Sequence, residues 1–208
     1  MLKKFVLGPV SANCYCIIND SGECALVDPG DASNRLVDFI KENGSELKYI
    51  LLTHGHFDHI DGVAFLKDSF PNAKIAIHEA DEMCLCDDNL SLARGFGLPS
   101  KTNLRADIIL HDGDILPFGD DNITVIHTPG HTIGGVTYKY KDMLFTGDTL
   151  FCRSLGRTDF PGGDYGEICA SIRRLYALSG DYIVYPGHDR ETTLNDERNL
   201  NPYVRGTK

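Results

Sequence analysis

Tyr49-Ile50-Leu51-Leu52-Thr53-His54-Gly55-His56-Phe57-Asp58-His59-Ile60-Asp61-Gly62 is the stretch that decides how this chain is read. Residues 49–52 form a short apolar run of the length expected for a buried strand. That strand delivers directly into three histidines and an aspartate within six residues. Side chains two apart on extended backbone share one side, whereas on a helix they diverge. His54 and His56 can therefore point together from a loop. Asp58 and His59 follow at the mouth of a helix whose inner positions are Ile60, Val63, Ala64 and Phe65 or Leu66. One short loop can thus serve two adjacent cation positions. Imidazole nitrogens and carboxylates are ligands for zinc, iron and manganese. The bland alternative is a surface histidine cluster on a polar loop; a metal site accounts for all four residues with one cause.

The same grammar recurs further along, as an apolar strand followed by a glycine turn carrying one ligand-type residue. The segments are Thr128-Pro129-Gly130-His131-Thr132, Thr146-Gly147-Asp148-Thr149 and Tyr185-Pro186-Gly187-His188. Loops at strand ends are where a rigid β scaffold carries its chemistry. Elsewhere the pattern predicts a hairpin of 14–18 and 24–27 around Asn19-Asp20-Ser21-Gly22. A helix starting at Ser33 or Asp31 buries Leu36, Val37 and Ile40 and closes at Asn43-Gly44. Strands are expected at 74–77, 108–110, 123–126, 136–140, 143–146 and 182–185. A short helix is expected near 79–84, then a loop holding Gly95, Gly97 and Pro99, and a last helix over 167–178 capped by Asp164. Runs of strands broken by a few amphipathic helices predict two sheets face to face with helices outside, in one domain spanning 1–208.

The 208 residues are 42% hydrophobic and 24% charged, which excludes disordered and collagen-like classes. No apolar run approaches the ~20 residues that span a bilayer, and the first nine residues hold no apolar core of a signal peptide. The expectation is a cytoplasmic protein with no membrane association. Twenty basic residues face 30 acidic ones, a net charge of −10. Such a surface repels phosphate backbones, so no nucleic-acid partner is expected. Seven cysteines, an odd number without a secretory signal, read as reduced thiols. The Cys14/Cys16 and Cys84/Cys86 pairs read as packing residues.

THGHFDHIDG (53–62), TPGHT (128–132), FTGDT (145–149) and YPGH (185–188), in this order, resemble the metallo-β-lactamase superfamily, as does LVDPG (26–30). The resemblance covers nearly the whole chain. It implies an α+β fold, a four-layer αββα sandwich with a dinuclear metal site at one edge. It also implies that His54, His56 and His131 hold a first metal, that Asp58, His59 and His188 hold a second, and that Asp148 bridges both. Asp28 is expected to orient ligands through a hydrogen bond. An aspartate at 148 is similar to the glyoxalase II-like thioesterase branch and unlike the β-lactamases that carry a cysteine there. GRTDF (156–160) and Glu197-Arg198-x-x-Asn201-Pro202 also resemble short glyoxalase II-like hydrolases. The sequence carries 20 residues beyond His188. The helical extension with which full glyoxalase II holds glutathione is therefore expected to be missing.

The resulting expectation is hydrolysis of a small-molecule thioester or ester by a hydroxide shared between two divalent ions. Zinc is the first choice of metal, with iron or manganese also compatible, and Asp58 both ligates and orients the hydroxide. A thiolate leaving group needs little protonation, which suits a site with no obvious general acid. Arg157 and Asp159 are candidate substrate contacts, or simply partners of each other. GRTDF also occurs in persulfide dioxygenases of the same fold. Under that second reading a single iron is held by His54, His131 and Asp148. A third reading is a metal-binding protein without turnover. His78, His111 and His127 carry no motif role, although His127, four residues before His131, is expected near the site. Neither the acyl group nor the oligomeric state is legible.

Overall fold

The computed structural model describes residues 1–44, 46–98 and 104–205; Pro99 of the expected loop lies outside them. The first sheet runs in chain order through β1 (Leu2–Leu7), β2 (Ala12–Ile18), β3 (Glu23–Val27), β4 (Glu46–Leu51), β5 (Lys74–His78) and β6 (Ile108–Leu110). Its first three strands are antiparallel and the rest parallel. The second sheet contains β7 (Ile115–Phe118), β8 (Asp121–His127), β9 (Val136–Tyr140) and β10 (Met143–Gly147). A two-stranded ribbon follows, β11 (Leu150–Phe151) with β12 (Ser154–Leu155). β13 (Ile183–Pro186) and β14 (Thr192–Thr193) complete the second sheet, whose order is β14-β13-β10-β9-β8-β7. The helices are α1 (Asn34–Asn43), α2 (Phe57–Ile60), α3 (Val63–Ser69), α4 (Tyr165–Tyr176) and α5 (Leu194–Leu200), with two 3₁₀ turns at Glu79–Leu85 and Ala93–Phe96.

Strand alternation builds the layers. In β2, Tyr15 and Ile17 point between the sheets, where they meet Val125, Tyr138 and Phe145 of the second sheet. Cys14, Cys16 and Ile18 point the other way, onto Leu36, Val37 and Ile40 of α1 and Val63 and Leu66 of α3. Every residue of β2 is buried because both faces of its sheet are covered. On the far side, Ile168, Ile172 and Leu175 of α4 and Leu194 of α5 cover Ile126, Leu144 and Val184. The result is the expected αββα sandwich. Ser33 and Asp164 cap α1 and α4 through their side chains. All seven cysteines are free, and Cys14, Cys16 and Cys24 sit in the core.

Several features differ from expectation, the β11–β12 ribbon and β14 among them. The helix after His59 is broken into α2 and α3, because the Gly62 N–H leaves the helical ladder for the Pro29 carbonyl at 2.8 Å. A Cβ at Gly62 would lie 2.5 Å from the Asp31 carbonyl oxygen, so only glycine lets the two segments meet. β1 forms from the charged start, as an edge strand that buries one side chain, Phe5. β7 adds an edge strand to the second sheet. α4 is not the last helix, since α5 follows β14. Among the described residues no helix is long and apolar enough to cross a membrane.

Candidate metal centre

The four ligand-bearing segments follow β4, β8, β10 and β13 and converge at one edge of the sandwich. Ligand atoms of His54, His56 and His131 lie within 4.8 Å of one another, and so do those of Asp58, His59 and His188. Asp148 stands between the two trios. One of its oxygens is 3.5 Å from His59 Nε2; the other is 3.6 Å from His131 Nε2 and 3.7 Å from His188 Nε2. Gly187 makes this approach possible. A Cβ there would lie 2.3 Å from Asp148 Oδ1 and 2.7 Å from His59 Cε1.

A hydrogen-bond network beneath the cluster decides which ring nitrogens face inward. Asp28 accepts hydrogen bonds from the Thr53 N–H at 2.7 Å, the Thr53 hydroxyl at 2.6 Å and His59 Nδ1 at 2.9 Å. With its proton given to Asp28, Thr53 Oγ1 accepts from His54 Nδ1 at 3.1 Å. The Arg157 carbonyl likewise accepts from His131 Nδ1 at 2.7 Å. Each of the three rings therefore donates outward from Nδ1 and presents Nε2 to the centre, the arrangement that fixes and strengthens an imidazole ligand. Asp28 does this from the left-handed region, at φ 52°, which aspartate tolerates better than most residues.

Charge is unevenly distributed. Burial lowers the pKa of His54, aided by the surrounding histidines, and burial with His131 pushes His56 down to about 3. At His59 burial also lowers the pKa, but Asp58, Asp148 and Asp28 outweigh it and raise the value to about 10. Burial raises the Asp58 carboxyl, yet His59 and the hydrogen bond from His188 hold it below its ordinary range. His54 Nε2, His59 Nε2 and Asp148 Oδ1 are buried without a hydrogen-bond partner among the described residues. Orphaned buried polar atoms cost roughly 1–3 kcal/mol each, and two of these, His59 Nε2 and Asp148 Oδ1, lie 3.5 Å apart. The nitrogen and oxygen donor set suits zinc, iron or manganese, and the cluster fits a dinuclear metal site.

Arg157 and Asp159 form a bidentate pair at 2.6 and 2.7 Å. Arg157 also lies over the Phe160 ring, 3.8 Å from its centre, and lines the cleft, whereas Asp159 does not. His127 stacks on His78 at 4.2 Å and faces the Ile133 carbonyl, outside the cluster. Sequence reasoning missed Asp81. It is buried in the first 3₁₀ turn and accepts from the Gly55 N–H (3.0 Å), the Thr132 hydroxyl (2.7 Å) and the Gly134 N–H (2.9 Å). It thereby ties the loop carrying His54 and His56 to the loop carrying His131. A lone aspartate after a strand gave no local signal of this. Asp81→Asn places an amide N–H₂ against a backbone N–H, so metal affinity is expected to fall about 10–100-fold. Chelator competition measures it, and unchanged affinity would contradict the positioning role.

Residues 7–188 match the family described as the metallo-beta-lactamase superfamily. The chain belongs to that superfamily. Within the metallo-β-lactamase superfamily it is 38% identical, over 203 residues, to hydroxyacylglutathione hydrolase GloC of Haemophilus influenzae, covering 94% of this chain and 95% of that one. Among solved superfamily structures, the BLEG-1 B3 metallo-beta-lactamase superposes with a TM-score of 0.92 at 37% identity, covering 99% and 100% of the two chains. TTHA1623 in a di-iron-bound form gives 0.85 at 35% identity, covering 97% and 100%.

Proposed function

We propose that the protein is a dinuclear metal-dependent hydrolase of thioesters. The observation that carries this reading is the composition of the cleft. Its described lining contains His56, Asp58, His131, Asp148 and His188 on the floor and, beyond them, one polar side chain, Arg157. With the floor residues engaged as ligands, no side chain remains to protonate a poor leaving group. That favours a substrate whose leaving group departs as an anion, as a thiolate does. The likeness to GloC points to the same chemistry.

In this reading His54, His56 and His131 would hold one ion, Asp58, His59 and His188 would hold the other, and Asp148, which stands between the trios, would serve both. The chemistry supplied there by bound divalent ions would be activation of a water at neutral pH and polarisation of the substrate carbonyl. Asp28 keeps His54 and His59 in the ligating tautomer. Asp58 lies within 3.2 Å of His188 Nε2 and is placed to orient the attacking oxygen.

The test is elemental analysis of the purified protein, followed by a thioester panel. About two ions per chain, with turnover abolished by chelation and restored by metal, is the expected result. The persulfide dioxygenase reading uses His54, His131 and Asp148 alone. In it His56, Asp58, His59 and His188 support the site without binding metal, although Asp58, His59 and His188 form a second trio of ligand atoms within 4.8 Å of one another. One iron per chain and oxygen uptake with glutathione persulfide would favour it instead.

A further inference from the structure

Above its polar floor the cleft is walled by Val10, Phe57, Leu92, Phe96, Phe151 and Phe160, around a volume of about 320 Å³. The wall is built against the histidines themselves. The Phe160 ring meets His56 edge-to-face at 5.9 Å, and Phe151 meets His188 at 6.3 Å. Phe96 packs on Phe57 at 4.9 Å while remaining 54% exposed. The 3₁₀ turn bearing Phe96 starts after Leu92, which sits at φ 67°, a costly conformation for a non-glycine residue. A hydrogen bond from the Phe57 N–H to the Ser91 carbonyl, 2.9 Å, fastens this segment beside His56 and Asp58.

Arg157 is the only cation among the described lining residues, and its charge is already engaged. Asp159 takes two of its donors and Phe160 takes its face. An anionic substrate group entering the cleft would have to displace Asp159 or accept an apolar wall.

We infer that this wall selects substrates whose portion beside the scissile carbonyl is uncharged and apolar, and discriminates against acyl groups ending in a carboxylate. This rests on the proposed hydrolase reading and deepens it. Apolar contact is worth about 0.8 kcal/mol per buried methylene, which corresponds to about a fourfold gain per methylene, until the cleft is filled.

Two measurements on the metal-loaded protein test it. The first is kcat/KM for acetyl, butyryl and hexanoyl thioesters of one neutral thiol, and for the succinyl and adipyl analogues. Activity is expected to rise about tenfold or more from acetyl to hexanoyl, and to fall at least tenfold when the chain ends in a carboxylate. Phe96→Ala, an exposed position, is expected to reduce the ratio of hexanoyl to acetyl activity. The second is calorimetric affinity for acetate, hexanoate and adipate, which requires no turnover. Hexanoate is expected to bind tightest. A flat chain-length series, or adipate binding as well as hexanoate, overturns the inference. Should no thioester be hydrolysed while hexanoate still binds tightest, the wall stands and the hydrolase reading fails.

Discussion

Asp148→Ala is expected to retain fewer than two divalent ions per chain after dialysis and to lose turnover by about 10³-fold or more. Asp148 reaches both trios, with one oxygen 3.5 Å from His59 and the other 3.6 Å from His131 and 3.7 Å from His188. Its removal therefore weakens both positions together. The fold should survive. Asp148 Oδ1 has no hydrogen-bond partner among the described residues, so its loss leaves no protein donor newly orphaned there. Thermal unfolding of the metal-free variant separates loss of site from loss of fold. Full metal content with undiminished turnover would sink the bridging role. Asp58→Ala sharpens the test, because Asp58 belongs only to the trio with His59 and His188. The dinuclear reading expects the variant to lose about one ion of two, whereas the mononuclear reading expects its single iron to remain.

The cluster is legible in the sequence because its groups are brought together by a repeated local device. Each candidate ligand segment follows a strand, and parallel neighbours in a sheet deliver their ends to the same edge. His54 and His56 leave β4, Asp148 leaves β10, and His188 leaves β13, which pairs in parallel with β10. The layers are legible for a related reason, since the period-two alternation of β2 and the helical spacing of α1 and α4 are both strong. What escaped has no period or motif of its own. Asp81 acts through contacts 26 to 53 residues away along the chain. The break between α2 and α3 depends on a backbone bond to Pro29, whereas the local pattern favours a continuous helix. β1 buries one residue in six, so it shows no strand alternation until β2 is placed beside it.

The stretch from Glu197 to Pro202 shows a motif visible in sequence whose work becomes clear only in three dimensions. Glu197 is fully buried in α5. Its carboxylate accepts from the Arg153 N–H at 2.9 Å, the Thr192 hydroxyl at 2.7 Å and the Asn201 side-chain amide at 3.0 Å, and pairs with the Arg153 guanidinium. It thereby joins the β11–β12 ribbon, β14 and the end of α5 through one side chain. The neighbouring Arg198 adds hydrogen bonds to the Tyr176, Leu178 and Gly180 carbonyls at the end of α4. Glu197→Ala leaves those donors facing a small apolar cavity. The Arg153 charge is a third exposed and returns to water, so its share of the loss is small. The buried donors set the cost, on the order of 3 kcal/mol, or a fall in Tm of about 6–12 °C for a chain of this size. Glu197→Gln keeps one acceptor and can donate to Thr192 Oγ1, so it should lose about half as much. Denaturant titration of the two variants measures the difference. An alanine variant as stable as the parent would show that this carboxylate is not what fastens α5 to the second sheet.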